Sequence, residues 1–220
     1  MTRGQFIVLE GGEGSGKSGA ARRIDALLRG AGIDVALTRE PGGTPGAEVI
    51  RDILIRDSSD YDPITNALLF AAARRDHVER LIRPSLEAGR WIVSDRYVLS
   101  TYAYQGAGEG VSLDTLKSLH RIGSADLLPD LTIVMDVDPR IGIRRSLDRL
   151  GSEGSAEGRF EKFDIGFHDR MREAMLAYDL SPKVVIDASD DMETVQKAVD
   201  HAVMRHLRRS RAIETGAEVG

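Results

Sequence analysis

"LEGGEGSGKSGA" occupies residues 9–20, directly behind the apolar run Phe6-Ile7-Val8-Leu9. Four residues separate Gly11 from Gly16, and Lys17 and Ser18 follow at once. Glycines let the backbone adopt shapes that a Cβ forbids, and they bring N–H groups close to an anion. A helix opening near Lys17 adds free N–H donors and the positive end of its dipole. The lysine supplies an ammonium for β- and γ-phosphates, and the Ser18 hydroxyl is a magnesium ligand. The bland alternative is a pliable glycine turn that ends in Lys-Ser. Its setting argues against that, because a short apolar strand precedes it and Ala20, Ile24, Leu27, Leu28 and Ala31 form one helical stripe after it. The dinucleotide fingerprint G-x-G-x-x-G fails, since Lys17 stands where its third glycine should fall. Gly11, Gly12, Glu13, Gly14, Ser15, Gly16, Lys17 and Ser18 therefore read as a loop that binds the phosphates of a nucleoside triphosphate such as ATP.

Working outward, short apolar stretches at 5–10, 34–38, 91–94, 131–137 and 183–186 predict strands buried on both faces. Helical patterns fall at 17–29, 45–55, 63–87 with a break near Pro84, 113–123, 139–149, 160–178 and 192–208. This alternation predicts an α/β fold, a five-stranded parallel sheet flanked by helices on both faces. With 220 residues the chain suits one domain, set at 1–208, followed by a flexible tail at 209–220. The 30 basic and 35 acidic residues give a net charge of −5, which suggests no nucleic-acid footprint. Without cysteine there is no thiol chemistry. There is also no long apolar run or signal peptide, so no membrane role is expected and a cytoplasmic location is.

Ligands of such sheets bind beyond the carboxyl ends of the strands. Two of those ends are informative: "TREPGGTPG" at 38–46 and "SDRYVLSTYAYQG" at 94–106. Asp95 after the apolar Trp91–Val93 is where a phosphate-loop enzyme places its second magnesium-organising carboxylate. Arg39 and Arg96 face the same crevice, where a planar guanidinium holds a phosphate by two bonds. Otherwise Asp95-Arg96 is a helix-capping pair and Arg39 a surface charge.

Taken together, "EGGEGSGKS", "TREPGGT", "LLFAAARRDHVE", "SDRYVLSTYAYQG" and "PDLTIVMDVDP" resemble the thymidylate kinase family of bacterial type, in the family's order. The resemblance implies phosphorylation of dTMP to dTDP with ATP and Mg2+, in a molecule that is usually a homodimer. It implies that Glu13 lies near the acceptor's 3′-hydroxyl and that Arg39, Arg74 and Arg96 surround the acceptor monophosphate and thymine. It implies that Phe70 stacks on the thymine, whereas Phe70 read alone on its stripe with Leu68 and Leu69 is core. Ser100, Thr101, Tyr104 and Gln105 are implied to line and close the pocket.

The segment "RRSLDRLGSEGSAEGRFEKFD" at 144–164 sets Arg144, Arg145, Arg149 and Arg159 around glycines and serines. Such a segment suits a mobile lid, placed at 144–162, that delivers a guanidinium to the transition state. Bacterial-type members of the family lack a basic residue inside the phosphate loop, and Glu13 stands there here, so Arg149 and Arg159 are the expected donors. A solvated basic helix face is the alternative. The histidines show no metal-ligand spacing. Asp136 and Asp138 are expected to end a strand and cap the next helix rather than bind metal. A kinase for another nucleotide or small metabolite, and an NTP-dependent switch, stay open from the residues alone, although no Asn-Lys-x-Asp base-reading motif is present.

Overall fold

A computed structural model describes residues 2–56, 61–153 and 163–215, with backbone alone at 56, 149–153 and 213–215. Five parallel strands form one sheet: β1 (Phe6–Glu10), β2 (Val35–Arg39), β3 (Trp91–Asp95), β4 (Leu131–Asp136) and β5 (Lys183–Asp187). Their order is β2-β3-β1-β4-β5, so β1 is central and the sheet is doubly wound about it. Every residue of β1 is buried, while the edge strands β2 and β5 expose alternate positions. This is the α/β sheet that the sequence predicts.

Successive strand residues point to opposite faces, and each face has its own core. Ile7, Leu9, Val93, Ile133 and Met135 pack with Ile24 and Leu28 of α1 (Lys17–Gly30) and Val203 and Leu207 of α9 (Met192–Thr215). Phe6, Val8 and Ile92 pack on the other side with Ala67 of α3 (Pro63–His77) and Leu116 of α6 (Leu113–Ser124). Tyr97 closes that core edge-on against Phe6, with ring centroids 4.9 Å apart. The remaining helices are α2 (Pro45–Arg56), α4 (Arg83–Glu87), α5 (Val98–Thr101), α7 (Pro139–Glu153) and α8 (Ile165–Ala177).

Several boundaries differ from expectation. The helix predicted over 63–87 is α3 and α4 joined by a π-helical turn, Val78–Ile82, so the irregularity precedes Pro84. The helix predicted from 160 begins at Ile165, because the Asp164 carboxylate accepts the Phe167 N–H at 3.0 Å and caps it. α9 continues to Thr215, into the stretch expected to be tail. The segment after β3 was not predicted helical, yet α5 leads into a π-helical stretch at Tyr102–Gly108.

Candidate active site

The phosphate loop joins β1 to α1 at the centre of the sheet, and its shape requires glycine. Gly14 has φ +64°, and a Cβ there would run into the carbonyl oxygen of Gly142 at the start of α7. Gly16, with φ +87°, caps α1 without a side chain. Lys17 is buried and its Nζ donates to the Gly12 carbonyl at 2.6 Å and to Ser15 Oγ at 3.3 Å. Burial first, then Arg96, lowers the Lys17 ammonium to about 8 against the pull of Glu13, Asp95 and Glu10.

β3 runs beside β1 and brings its end to the loop. The Ser18 hydroxyl donates to Asp95 Oδ2 at 2.7 Å, so the two expected metal ligands stand together. A hydroxyl and one carboxylate are hard oxygen donors that suit Mg2+, which takes few protein ligands and completes its shell with phosphate and water. Among the described residues no cluster of three or more His, Cys, Asp or Glu could hold a metal alone.

Arg96 follows in the left-handed region, at φ 72°. Its Nη1 donates to the Gly11 carbonyl at 3.0 Å and to Ser100 Oγ at 3.2 Å, and its Nη2 donates to Glu13 Oε1 at 2.7 Å. Its guanidinium lies over the Tyr104 ring, 5.1 Å from the centroid, and the Tyr104 hydroxyl also donates to Glu13, at 2.8 Å. Burial pushes the Glu13 carboxyl up, but Arg96, Lys17 and Tyr104 outweigh it and bring it down to about 2. Glu13, Arg96, Ser100 and Tyr104 are thus one cluster.

A second, buried cluster adjoins it. Arg74 Nε donates to Glu40 Oε2 at 2.8 Å, and its Nη2 donates to the Tyr97 carbonyl at 3.2 Å and to Thr101 Oγ1 at 3.0 Å. Glu40 is also bonded by His77 Nδ1 at 3.0 Å, and His77 Nε2 lies 2.7 Å from Thr38 Oγ1. Burial raises the Glu40 carboxyl, but Arg74 and His77 outweigh it and hold it below the usual range. Glu40 and His77 were missed in the sequence. The available signal was Glu40 beside Arg39, and His77 one helical turn after Arg74 on the same face.

Other expected residues are placed less centrally. Arg39 sits at the end of β2 opposite Asp95, but its exposed side chain donates to Glu48 at 3.2 Å. Phe70 is half-buried on α3, one turn before Arg74, and is not among the residues that form the two cores on the sheet faces. Gln105 is buried beside Tyr104, and its Nε2 has no hydrogen-bond partner among the described residues. The side chain of Arg149 and all of Arg159 lie outside the described residues. Asp138 accepts the Arg140 N–H at 2.8 Å, the capping role expected, while Asp136 takes both Arg172 Nε and Nη2 at 2.7 and 2.8 Å.

Beside the loop, a cavity of about 520 Å³ is lined by Gly14, Gly16, Arg145, Ala188, Met192 and Val195, among others. Arg145 reaches across it to the Ala188 carbonyl at 2.8 Å. A larger groove of about 1020 Å³ lies between β5 and α9 and touches neither the loop nor the β3–α5 turn.

The family model described as "Thymidylate kinase" matches residues 9–199. A thymidylate kinase of Cereibacter sphaeroides is 48% identical over 88% of this chain and 91% of its own. Thymidylate kinases of Ruegeria pomeroyi and Caulobacter vibrioides are 44% and 41% identical, each over 94% of this chain and 98% and 99% of theirs.

Proposed function

The chain belongs to the thymidylate kinase family and phosphorylates dTMP with ATP, and from this premise we propose that the transfer takes place where Arg96 joins the phosphate loop to the β3–α5 turn. The residue roles follow from position. Gly11, Gly12, Glu13, Gly14, Ser15, Gly16, Lys17 and Ser18 cradle the ATP phosphates, and the nucleoside of ATP occupies the cavity beside Arg145. Ser18 and Asp95 hold Mg2+, which neutralises phosphate charge when bound. Glu13, Arg39, Phe70, Arg74, Arg96, Ser100, Thr101, Tyr104 and Gln105 receive dTMP, with Phe70 against the base.

A dTMP phosphate oxygen attacks the γ-phosphorus in line, a new P–O bond forms, and the bond to the β-phosphate oxygen breaks as ADP leaves. The nucleophile is already an anion, so no strong base is required. Lys17 faces the β- and γ-phosphates and Arg96 the acceptor phosphate. Arg149 and Arg159, from a lid over 144–162 of the single catalytic domain, add charge in the transition state.

The observation that carries this reading is the Arg96 guanidinium, bonded to Gly11 and Glu13 of the loop and to Ser100 of the acceptor side. Arg96→Ala should lower kcat about 100-fold or more with dTMP as acceptor. Turnover within a few-fold of the parent enzyme would move the reaction centre elsewhere.

A homodimer is proposed as well. The neighbouring helices α2, α3 and α6 expose Val49, Ile53, Leu68 and Ile122, apolar side chains that a second copy would cover. Sedimentation of the chain tests it. No described helix is long and apolar enough to cross a membrane. The cytoplasm, where ATP and deoxynucleotides are made, is the proposed location, and no nucleic-acid partner is proposed.

A further inference from the structure

Glu10 ends the central strand with no solvent exposure, a carboxylate at the close of an otherwise apolar run. Such a group is costly unless hydrogen bonds answer it. Its Oε1 accepts the Tyr97 N–H at 2.9 Å and the Ser100 N–H at 3.1 Å, and its Oε2 accepts the Ser100 hydroxyl at 2.5 Å. Tyr97 opens α5 without a capping side chain of its own. Glu10 therefore caps that helix from the neighbouring strand.

The same contacts lead to Arg96. The Ser100 hydroxyl has one proton and gives it to Glu10, which leaves its oxygen to accept Arg96 Nη1 at 3.2 Å. Arg96 itself is strained, because a residue with a Cβ resists φ 72°. Its neighbours pin it from β1: the Leu9 carbonyl accepts the Arg96 N–H at 2.8 Å, and Glu10 takes the next amide, that of Tyr97. Two consecutive residues of β1 thus fix the backbone of the turn, and Glu10 also fixes the guanidinium through Ser100.

We propose that Glu10 is a positioning residue for phosphoryl transfer, which holds Arg96 in its reactive place through Ser100 and the Tyr97 amide. The inference rests on the role of Arg96 proposed above. Being fully enclosed, Glu10 touches neither nucleotide. An amide at position 10 keeps one acceptor for the two backbone N–H groups. Its NH2 then donates toward Ser100, so the hydroxyl must turn its proton away and compete with Arg96.

The test is a cycle of Glu10→Gln, Ser100→Ala, Arg96→Ala and the Glu10→Gln/Arg96→Ala double variant, with kcat, ATP dissociation constant and thermal unfolding measured for each in mildly alkaline buffer, where Glu10 is ionised. Glu10→Gln should lower kcat about 10- to 100-fold, the scale of a displaced catalytic group, with ATP affinity within a few-fold. Because Glu10 acts through Arg96, adding Glu10→Gln to Arg96→Ala should lower kcat no further. Parent-level kcat in Glu10→Gln, or losses that multiply in the double variant, overturns the proposal. Should Glu10→Gln not fold, Ser100→Ala decides: a matching loss of kcat with the Michaelis constant for dTMP within a few-fold supports the relay, and parent-level kcat, or a loss confined to that Michaelis constant, overturns it. Parent-level kcat in Arg96→Ala overturns the role of Arg96 itself, a result distinct from failure at Glu10.

Discussion

The phosphate loop and the β3–α5 turn lie at the ends of adjacent strands, and they are built by opposite means. The loop is shaped by backbone: Gly14 and Gly16 take positive φ, and Gly14 abuts the Gly142 carbonyl with no room for a Cβ. The turn is shaped by side chains that arrive from afar. Glu10 and Glu13 reach it from β1 and the loop, while Arg74 meets its Tyr97 carbonyl from α3. A backbone-built site tolerates loss of one side chain without losing its shape. In a site built from a network, each member shapes the others, so single changes spread. On the roles proposed above, donor binding would belong to the first kind and acceptor selection to the second.

The largest expected effect asks whether either region supplies the transition-state charge. If it comes from the lid, the Arg149→Ala/Arg159→Ala double variant should lower kcat by roughly 10³-fold, with ATP and dTMP affinities changed only a few-fold. Near-normal kcat would return that duty to Arg96 or to a partner subunit. Next in size is Lys17→Met, which should reduce turnover 100-fold or more, on the order of 3 kcal/mol. Its loop should keep its fold, since glycines and not Lys17 shape it. A crystal structure of the variant with a collapsed loop would break the contrast between the two regions.

On the acceptor side the expected effect is smaller and more selective. Phe70→Ala should raise the Michaelis constant for dTMP by the worth of one base stack, about 1–3 kcal/mol, and leave that for ATP nearly alone. Phe70 shares a helix face with Arg74 one turn on, which motivates the assignment. Equal effects on both substrates would make Phe70 a packing residue.

The same contrast explains what the sequence revealed. The loop, the five strands and the pairing of Ser18 with Asp95 were legible because each depends on local pattern: apolar runs, glycine spacing, a carboxylate at a strand end. The helix over 98–108 was not. "VLSTYAYQGAG" is rich in β-branched, aromatic and glycine residues, which are poor helix formers. What holds it is tertiary: the Glu10 cap, and Leu99, Ala103 and Tyr104 packed on Phe167, Met171 and Met175 of α8. Glu40 and His77 stayed hidden for a related reason: spacing puts His77 on the Arg74 face, but only the contacts of Glu40 with Arg74 and of His77 with Glu40 and Thr38 give the pair its meaning. The end of the last helix was set at 208, where no cap residue marks a stop, and α9 runs on to Thr215.

The smallest expected effect concerns stability and the charge enclosed at Glu10. Burial pushes its carboxyl up to about 7, although Ser100, Arg96 and the Tyr97 amide pull it down, and Lys17 shares the same field. A carboxyl raised above its unfolded value of 4.5 binds its proton more tightly in the native state. Its contribution is therefore complete below 4.5 and is lost as pH rises through about 7. Gln at position 10 has no proton to lose, and all other groups are common to both proteins, so the difference between them isolates Glu10. From pH 5 to pH 8 the stability of Glu10→Gln relative to the parent should improve, on the order of 1 kcal/mol once relaxation softens the burial cost. Denaturant unfolding of both proteins at the two pH values measures it. A difference that does not change with pH would mean that Glu10 titrates as if it were exposed. A difference that moves the other way would mean that Arg96 and Lys17 overcome burial, making the network around the turn a stabilising one with its own charge.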